Sequence, residues 1–598
     1  LLRSRLVNSW IWKAEAMEPS SAQAKVMVDE LIRCGVSDVV LAPGSRSAPL
    51  ALELAAACAR LDIRLHVRLD ERVAGFVALG LGKATGIPAA VVTTSGTSVA
   101  NLLPAVIEAD ESFTPLLVLT ADRPPVLRGV GANQTIDQVK IFGGFVRDSV
   151  DMGVASLSEG QVRYWRSIVA RAVAISTDSA DPGPVHINIP FAMPLLSESD
   201  DDWVESLDGR PDGRPWVADA RLLAGVATPM DEIMSFLDEE SVVPARGVIV
   251  VGDHNDAEAI ELIDELSDTT GWPIVAEPSA NVGGAALALS HGTLIVADQD
   301  FRESHVPDLV LTVGRVGLSR SVLSLIESAG VHIAVDVHAQ FADPTRSADL
   351  VVASVPLAPT ECEVDDEWLE HWQRADVLAA AAIETVLGTD ESSGLTGMQV
   401  ARIVTRLVPE AGTLFLGASS AVRHVASFAS NSVADAAIMG NRGTSGIDGC
   451  ISTAYGIAIS ATVQGDGAVI ALVGDQTFLY DSNALLVPKG EDPVNLIVVV
   501  IDNDGGGIFS TLEQGQAKYA KYFEQVFGVP LGIDPATVGQ AFGASAVTVS
   551  TEDELAEAID QALNGGLHII VANTAMRSTE AQVLHQISEA VQQALAAS

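Results

Sequence analysis

The chain has 598 residues, 48% of them hydrophobic and 19% charged, which is enough apolar material for several buried cores and about three or four domains. Its 78 acidic residues outnumber its 35 basic ones, and the formal net charge of −43 disfavours nucleic acids and anionic membrane surfaces as partners. No apolar run reaches the roughly 18 residues of a membrane span, and four cysteines without CxxC spacing indicate neither a disulfide scaffold nor a zinc site. We therefore expect a cytoplasmic protein.

The opening residues 1–16, LLRSRLVNSWIWKAEA, are basic and lack both a long apolar core and a small-residue cleavage site. We expect no signal peptide there, and Met17 is an alternative translation start. From residue 20 to 195, helix-like and strand-like stretches alternate, with strands in VSDVVLAPGSRS, AAVVTTSGTS, PLLVLTADRP and GPVHINIP. This alternation predicts a parallel sheet covered by helices.

Polar residues follow several of these strands, where a parallel sheet presents its carboxyl edge. Ser45 and Arg46 lie in LAPGSRSAPL, and Arg123 and Gln134 lie in TADRPPVLRGVGANQTIDQ. Glu71 stands at a change from strand to helix in VRLDERVAG. Each has an ordinary alternative, because carboxylates favour helix N-termini and single arginines are commonly surface residues.

The Pro-, Gly- and Asp-rich stretch SESDDDWVESLDGRPDGRPW is typical of a linker. A second α/β block is predicted over residues 215–360, with strands in RGVIVVGD, PIVAEPSA, LVLTVGRV and HIAVDVHA. RGVIVVGDHNDAEAIEL has no GxGxxG, so we predict no flavin in this block. The segment ECEVDDEWLEHWQRADVLAAAAIETVL is predicted to be a connecting helix.

A third block spans residues 394–598, with strands in GTLFLGASS, AVIALVGD, VNLIVVVID and LHIIVANT. The predicted fold class is therefore α/β, with three doubly wound parallel-sheet domains. Ser419 and Arg423 are four residues apart at the start of a predicted helix, which places them on one face. Arg442 lies in the glycine-rich GNRGTSGIDG.

Two neighbouring strands of this block end in oxygen-bearing side chains. One stops at Gly474-Asp475, and the other stops at Asn503 before three glycines in VIDNDGGGIF. The 28-residue spacing fits one strand, helix, strand unit, which brings Asp475 and Asn503 to one edge of the sheet. A carboxylate, an amide oxygen and a backbone carbonyl suit Mg²⁺ with a bound diphosphate. An ordinary Asn-Asp-Gly turn is the alternative.

These features resemble the thiamine diphosphate enzymes, whose motif runs from Gly-Asp-x to Asn over about thirty residues. The resemblance implies pyrimidine-binding, central and diphosphate-binding domains over 20–195, 215–360 and 394–598. It implies Mg²⁺, or Mn²⁺ as an alternative, held by Asp475, Asn503 and the Gly505 carbonyl. Gln476 stands where the usual motif has glycine, which leaves its own contact open.

The same resemblance gives roles to residues around the cofactor thiamine diphosphate. Glu71 is the acid that protonates the pyrimidine ring, and Ile447 of SGIDG is the wedge that bends the cofactor. Gly474, Gln476 and Ile508 also border it. The cofactor would lie between the first domain of one subunit and the third domain of another, which implies a homodimer or homotetramer.

Four stretches, GSRSAPL, GANQTIDQ, LFLGASSAVRHV and GNRGTSGIDG, resemble a narrower family along almost the whole chain. It comprises the 2-succinyl-5-enolpyruvyl-6-hydroxy-3-cyclohexene-1-carboxylate synthases, or MenD enzymes, which decarboxylate 2-oxoglutarate and add the succinyl unit to isochorismate in menaquinone biosynthesis. Several arginines suit such substrates, because guanidinium binds carboxylate bidentately. The resemblance assigns substrate binding to Ser45, Arg46, Arg123, Gln134, Arg320, Ser419, Arg423, Arg442, Ile508 and Phe509. For Phe509, core packing is the alternative.

Two other functions remain open at this point. Another thiamine diphosphate enzyme acting on 2-oxoacids, such as an acetohydroxyacid synthase, would keep Glu71, Asp475 and Asn503 but need fewer arginines. A non-catalytic protein that binds a nucleotide or diphosphate through the glycine-rich turn would have no need of Glu71. A measurement of substrate range would distinguish the first alternative from a MenD enzyme. A test for thiamine-dependent turnover would distinguish the second.

Overall fold

The structure is a computed structural model that describes residues 17–197, 203–217, 228–237, 242–254, 256–336, 343–388, 394–429 and 436–597. The predictions for residues 1–16 lie outside these ranges. So do parts of the predicted linker, residues 198–202, and the end of the predicted strand HIAVDVHA, residues 337–339. Within the described ranges, no helix combines the length and the apolar character that a membrane crossing requires.

Strands occur throughout the described residues, most of them in the apolar stretches that the sequence singles out. They are β1 Asp38–Leu41, β2 Arg64–Val67, β3 Ala89–Thr93, β4 Leu116–Asp122, β5 Asp148–Asp151, β6 Pro184–Pro190, β7 Gly247–Val251, β8 Ile274–Ala276, β9 Leu309–Val313, β10 Val331–Val335, β11 Leu350–Val352, β12 Thr413–Leu416, β13 Ala437–Gly440, β14 Val469–Gly474, β15 Leu496–Asp502, β16 Ser545–Val549 and β17 Leu567–Asn573.

Helices connect these strands. They are α1 Pro19–Arg33, α2 Ala48–Ala59, α3 Glu71–Thr85, α4 Thr97–Ala100, α5 Leu103–Glu111, α6 Gln161–Ser176, α7 Met230–Leu237, α8 Ala257–Thr270, α9 Gly292–Ile295, α10 Gln299–Ser304, α11 Arg320–Ser328, α12 Asp366–Leu387, α13 Gly397–Arg406, α14 Ser420–Phe428, α15 Cys450–Gln464, α16 Asp475–Tyr480, α17 Ala520–Phe523, α18 Pro535–Ala541, α19 Glu552–Ala562 and α20 Arg577–Ala596. The predicted connecting helix is α12.

In the part of the chain that the structure describes, the strands form three sheets. Their orders are β2-β1-β3-β4-β6-β5, β11-β10-β9-β7-β8 and β13-β12-β14-β15-β17-β16. Adjacent strands pair in parallel, as in β1 with β3 and β14 with β15. The predicted α/β fold class with three parallel sheets is confirmed, while the domain limits stay predictions.

The first and third sheets share one strand order. If each is numbered from its own first strand, both follow 2-1-3-4-6-5. In such a sheet the chain turns to opposite sides after the first and third strands, and the crevice at their carboxyl ends is the usual ligand site. The order therefore places one candidate crevice beside β1 and β3 and another beside β12 and β14.

Burial explains why the central strands form where they do. Every residue of β1, β3, β4 and β6 is buried. Such strands are apolar on both faces, as expected for a parallel sheet with helices on each side. Trp165 of α6 and Leu54 of α2 belong to the core that packs against Val39 and Leu41 of β1.

The chain divides into two compact units. The first comprises residues 1–178 and 182–221 and contains the first sheet. The second comprises residues 179–181 and 222–598 and contains the other two sheets. Within the second unit, α12 and α20 pack together in a core that also includes Val248 of β7 and Val310 of β9.

Candidate active site

The first crevice brings two predicted arginines together at the ends of β1 and β4. After β1, the buried Arg46 donates its backbone N–H to Thr94 Oγ1 (3.2 Å) and its Nη1–H to the Phe191 carbonyl (2.8 Å). The Nε atoms of Arg46 and Arg123 are buried and have no hydrogen-bond partner among the residues that the structure describes. Burial and the nearby charge of Arg123 lower the pKa of Arg46. Two crowded guanidiniums with unused donors favour an anion between them.

The loop after β3 connects the other predicted residues of this crevice. Gln134 has a left-handed backbone, with φ of 54°, and its Nε2 donates to the Ser95 carbonyl (3.1 Å). In return, Ser95 Oγ donates to the Gln134 carbonyl (2.9 Å). Ser45 is exposed beside Arg46. The structure thus links the loops that carry Gln134, Ser45 and Arg46 through the end of β3.

Glu71 is the first residue of α3, and its carboxylate is held from the segment after β3. Ser98 Oγ donates to Oε1 (2.7 Å), and Asn101 Nδ2 donates to Oε2 (3.1 Å). The helix N-cap is instead Asp70, whose side chain accepts the backbone N–H groups of Arg72 and Val73. Because Asp70 caps the helix, the Glu71 carboxylate is oriented by Ser98 and Asn101 and not by the capping role that its position suggested.

A pocket lies in the second crevice, beside β12 and β14. It is lined by Ala418, Ser419, Ser420, Ala421, Ile447, Gly474, Asp475, Gln476, Thr477, Ile501, Asn503, Gly505, Gly506 and Gly507. Seven predicted residues meet here: Ser419, Ile447, Gly474, Asp475, Gln476, Asn503 and Gly505. The chain segments after β12, β14 and β15 supply most of this wall.

The surroundings of the Asp475 carboxyl favour replacement of its proton by a bound cation. Asp475 is only 7% exposed, and burial together with the nearby Asp502 and Asp504 carboxylates raises its pKa to about 7. The backbone N–H groups of Gln476 and Gly505 donate to it and oppose this shift. A divalent cation would relieve the repulsion among these carboxylates.

Asn503 supplies an oxygen that the protein leaves unused. Its Oδ1 is buried and has no hydrogen-bond partner in the described part of the chain. Among the described residues no group of three or more His, Cys, Asp or Glu side chains could hold a metal. The predicted set instead joins the Asp475 carboxylate to an amide and a carbonyl oxygen, which is a donor set that Mg²⁺ accepts with phosphate and water. The residues present therefore fit a metal-bound diphosphate.

The three glycines after Asn503 are required by close backbone approach. Gly505 has φ of 136°, and a Cβ there would meet the Gly528 carbonyl and Arg577. A Cβ on Gly506 would lie 2.5 Å from the Phe527 carbonyl, and one on Gly507 would lie 2.6 Å from Asn503 Nδ2. The run GGG therefore leaves room for the backbone of residues 527–528 and for Asn503, and its three glycines line the pocket without side chains.

A second pair of arginines lies beside the third sheet. Arg442 follows β13 and donates Nη1–H to Ser445 Oγ (2.9 Å). Its buried Nε has no hydrogen-bond partner among the described residues. Its Nη2 is 4.0 Å from the buried Glu277 carboxylate. Arg423 donates Nη1–H to the Ser419 carbonyl (2.8 Å), and burial and the Arg442 charge lower its pKa. As in the first crevice, two guanidiniums are crowded together.

Three predicted residues that the preceding paragraphs have not placed also lie outside the pocket lining among the described residues. Arg320 is exposed at the start of α11. Ile508 and Phe509 are half-buried in a single 3₁₀ turn, residues 507–511, and the Phe509 ring packs against Phe527 with centroids 5.6 Å apart. The packing alternative for Phe509 is therefore consistent with its contacts. Gln476, which lines the pocket, donates Nε2–H to the Gly528 carbonyl (3.1 Å).

Sequence reasoning missed several residues that support the site. Ser98 and Asn101, which hold Glu71, lie 27 and 30 residues along the chain from it. Ser98 is the last residue of the stretch AAVVTTSGTS and Asn101 lies three residues beyond it, so their position near a strand end was the only available signal. Thr477 and Ser420 line the pocket beside predicted residues.

Comparison with known domain families gives a match in each part of the chain. Residues 22–141 match "Thiamine pyrophosphate enzyme, N-terminal TPP binding domain", and residues 426–572 match "Thiamine pyrophosphate enzyme, C-terminal TPP binding domain". Residues 211–416 match "Middle domain of thiamine pyrophosphate". Benzoylformate decarboxylase from Polynucleobacter necessarius has a similar fold, with a TM-score of 0.66 over 93% of this chain and 98% of that one, at 16% identity.

Comparison with curated proteins shows which family of thiamine pyrophosphate enzymes the chain belongs to. A 2-succinyl-5-enolpyruvyl-6-hydroxy-3-cyclohexene-1-carboxylate synthase from Thermobifida fusca is 42% identical over 96% of this chain and 99% of its own length. The chain belongs to this synthase family. Synthases of the same name from Saccharopolyspora erythraea (41% identical, 91% of this chain, 94% of the relative) and Bacillus cytotoxicus (34%, 93% and 94%) are also similar. The protein is accordingly a thiamine diphosphate-dependent transferase of menaquinone biosynthesis.

Proposed function

We propose that the protein decarboxylates 2-oxoglutarate and transfers the succinyl unit to isochorismate, yielding 2-succinyl-5-enolpyruvyl-6-hydroxy-3-cyclohexene-1-carboxylate. The observation that supports this most is similarity to synthases of that name, 42% identical over 96% of the chain. Two crowded arginine pairs, Arg46 with Arg123 and Arg423 with Arg442, agree with substrates that carry several carboxylates.

In this proposal Asp475, Asn503 and the Gly505 carbonyl hold Mg²⁺, with Mn²⁺ as an alternative. Thiamine diphosphate, when bound, supplies the electron sink for loss of carbon dioxide and the nucleophilic carbon for addition to the second substrate. Gly505, Gly506 and Gly507 let the backbone approach the diphosphate. Glu71, held by Ser98 and Asn101, keeps a proton at the cofactor's pyrimidine nitrogen.

The remaining residues bind and orient the substrates. The unused Nε–H groups of Arg46, Arg123 and Arg442 are donors for substrate carboxylates. Ser45, Gln134, Ser419, Arg320 and Arg423 are proposed as further substrate contacts. Ile447, Ile508 and Phe509 provide apolar surface, which excludes water and favours loss of charge at the reacting carbon.

We also propose that the protein works as a homodimer or homotetramer in the cytoplasm. The assembly follows from the family resemblance, in which Glu71 of one copy and Asp475 of another serve one cofactor. The location agrees with four cysteines, Cys34, Cys58, Cys362 and Cys450, that form no disulfide in the structure.

The test is to incubate the purified protein with thiamine diphosphate, Mg²⁺, 2-oxoglutarate and isochorismate, and to follow isochorismate loss together with product mass. We expect a succinyl adduct of isochorismate with the wild-type protein and a loss of about 100-fold or more with Glu71→Gln, because the substituted amide cannot exchange a proton as an acid. Turnover of pyruvate without any adduct from 2-oxoglutarate would contradict the proposal and favour an acetohydroxyacid synthase.

A further inference from the structure

The side-chain amide of Asn503 has different environments at its two ends. At one end Nδ2 donates to Glu580 Oε2 (2.9 Å). At the other end Oδ1 is buried and has no hydrogen-bond partner within the described ranges, and Asn503 lines the pocket that contains Asp475. Asn503 and Glu580 are 77 positions apart, so no local sequence pattern connects them.

Glu580 is itself held firmly. It lies in the first turn of α20 and is 6% exposed. Its Oε1 accepts the backbone N–H of Gly397 (2.7 Å) at the start of α13. A Cβ on Gly397 would lie 3.2 Å from Oε1, so the glycine leaves room for this contact. The carboxylate therefore has little freedom to rotate away from Asn503.

The chemistry of the two groups decides which way the amide points. Burial raises the pKa of Glu580, and the hydrogen bonds from Gly397 and Asn503 oppose this rise. In its ionised form the carboxylate accepts hydrogen bonds and donates none, so Asn503 presents its NH₂ group to Glu580. Its oxygen must then point the other way. We infer that Glu580 is a positioning residue that holds the Asn503 oxygen toward the divalent metal, and this inference rests on the metal site proposed above. Such outer partners commonly fix the orientation of metal ligands.

The first variant is Glu580→Gln. The glutamine oxygen continues to accept from Gly397, and its NH₂ group then faces Asn503. Asn503 turns its oxygen toward that NH₂ group and its own NH₂ group toward the metal, which cannot coordinate it. We expect the affinity for Mn²⁺ to fall about 10- to 100-fold. The probe is Mn²⁺, titrated by electron paramagnetic resonance of the free ion with the full chain and saturating thiamine diphosphate.

The second variant adds Asn503→Asp to Glu580→Gln. The introduced carboxylate would accept from the glutamine NH₂ group with one oxygen and offer the other oxygen to the metal. We expect Mn²⁺ affinity to return to within about tenfold of the wild-type value. Asn503→Asp alone places a second carboxylate against Glu580, so its thermal unfolding without metal is expected at a lower temperature than that of the double variant.

The matched control is Glu589→Gln, the same charge change at an exposed position of α20. It should leave Mn²⁺ affinity unchanged. A purely structural role for Glu580 predicts a lower unfolding temperature of Glu580→Gln with unchanged Mn²⁺ affinity and no rescue by Asn503→Asp, and this result would overturn the inference.

Asp475→Asn separates this inference from the proposed metal site. If Asp475→Asn weakens Mn²⁺ binding and Glu580→Gln does not, only the role of Glu580 is wrong. If Asp475→Asn binds Mn²⁺ as the wild type does, the metal site is wrong and the role of Glu580 fails with it.

Discussion

At the scale of single residues, the site is defined by polar groups that the protein leaves incompletely satisfied. Asp475 is buried near Asp502 and Asp504, and the buried Asn503 Oδ1 has no hydrogen-bond partner in the part of the chain that the structure describes. Both arrangements cost free energy unless something binds, because buried charges and unpaired polar atoms are unfavourable in a protein interior. A bound divalent cation would offset both free-energy costs.

Metal affinity should therefore depend on pH through Asp475. Its pKa, raised to about 7 by burial and by Asp502 and Asp504, means that a proton competes with the metal below pH 7. We expect Mn²⁺ affinity to fall about tenfold for each pH unit below 7 and to level off above it. Titrations with thiamine diphosphate between pH 5.5 and 8.5 measure this, after correction for metal bound to free cofactor. A flat profile for the wild-type protein would contradict the raised pKa, and Asp475→Asn should lose the dependence.

At the scale of secondary-structure elements, the site residues lie at strand ends, and the buried strands are the elements that the sequence predicts most clearly. The strands read from the sequence, such as β1, β4, β14 and β15, are continuous apolar runs in sheet interiors. The strands outside the stretches named from the sequence, β2, β5, β11, β13 and β16, all lie at sheet edges. Edge strands are partly exposed, as in Asp148–Asp151, and β11 and β13, though apolar, have only three and four residues. They therefore lack the long buried apolar run of a central strand such as β15.

The same limit applies to the site. Asp475, Asn503 and the glycines could be predicted because each directly follows an apolar strand. Ser98, Asn101 and Glu580 could not be assigned, because their roles come from contacts made 27, 30 and 77 residues away. The local sequence indicates where a strand ends, but it does not indicate which distant side chain contacts that strand end.

One buried element of the first sheet should make the protein sensitive to acid. His186 of β6 contacts Thr120 Oγ1 (2.7 Å) through Nε2, and burial lowers its pKa to about 4, opposed by Asp151. In the unfolded chain a histidine has a pKa of about 6.5, so as the pH falls the unfolded state binds a proton before the folded state does. Titration of His186 therefore does not change the free energy of unfolding above about pH 6.5. As the pH falls from there toward 4, it lowers the free energy of unfolding by on the order of 3 kcal/mol.

His186→Gln should shrink the loss of stability between pH 7 and pH 4, because glutamine takes up no proton there. Thermal or denaturant unfolding of both proteins across that range measures the difference. His585→Gln, at a position whose side chain is 74% exposed, is the control and should follow the wild type. Identical pH profiles for His186→Gln and the wild type would show that His186 does not contribute.

At the scale of the whole molecule, one sheet order occurs twice. The first and third sheets both follow 2-1-3-4-6-5, and each places predicted site residues at its own reversal of strand order. The first sheet presents Glu71 with Arg46 and Arg123, and the third presents Asp475 and Asn503 with the glycines. One fold thus serves two tasks, an acid with anion-binding arginines in one sheet and a metal and diphosphate site in the other.

The central claim is that Glu71 and Asp475, from different copies of the chain, serve one thiamine diphosphate-dependent succinyl transfer. The most direct test is to co-express Glu71→Gln and Asp475→Asn subunits with different tags, isolate mixed assemblies, and measure the succinyl adduct of isochorismate by mass. Each variant alone should be inactive, and a mixed dimer should regain about half of the wild-type activity, because one of its two sites has both native residues. Inactive mixed assemblies beside an active wild-type protein, or full activity of either variant alone, would contradict the account.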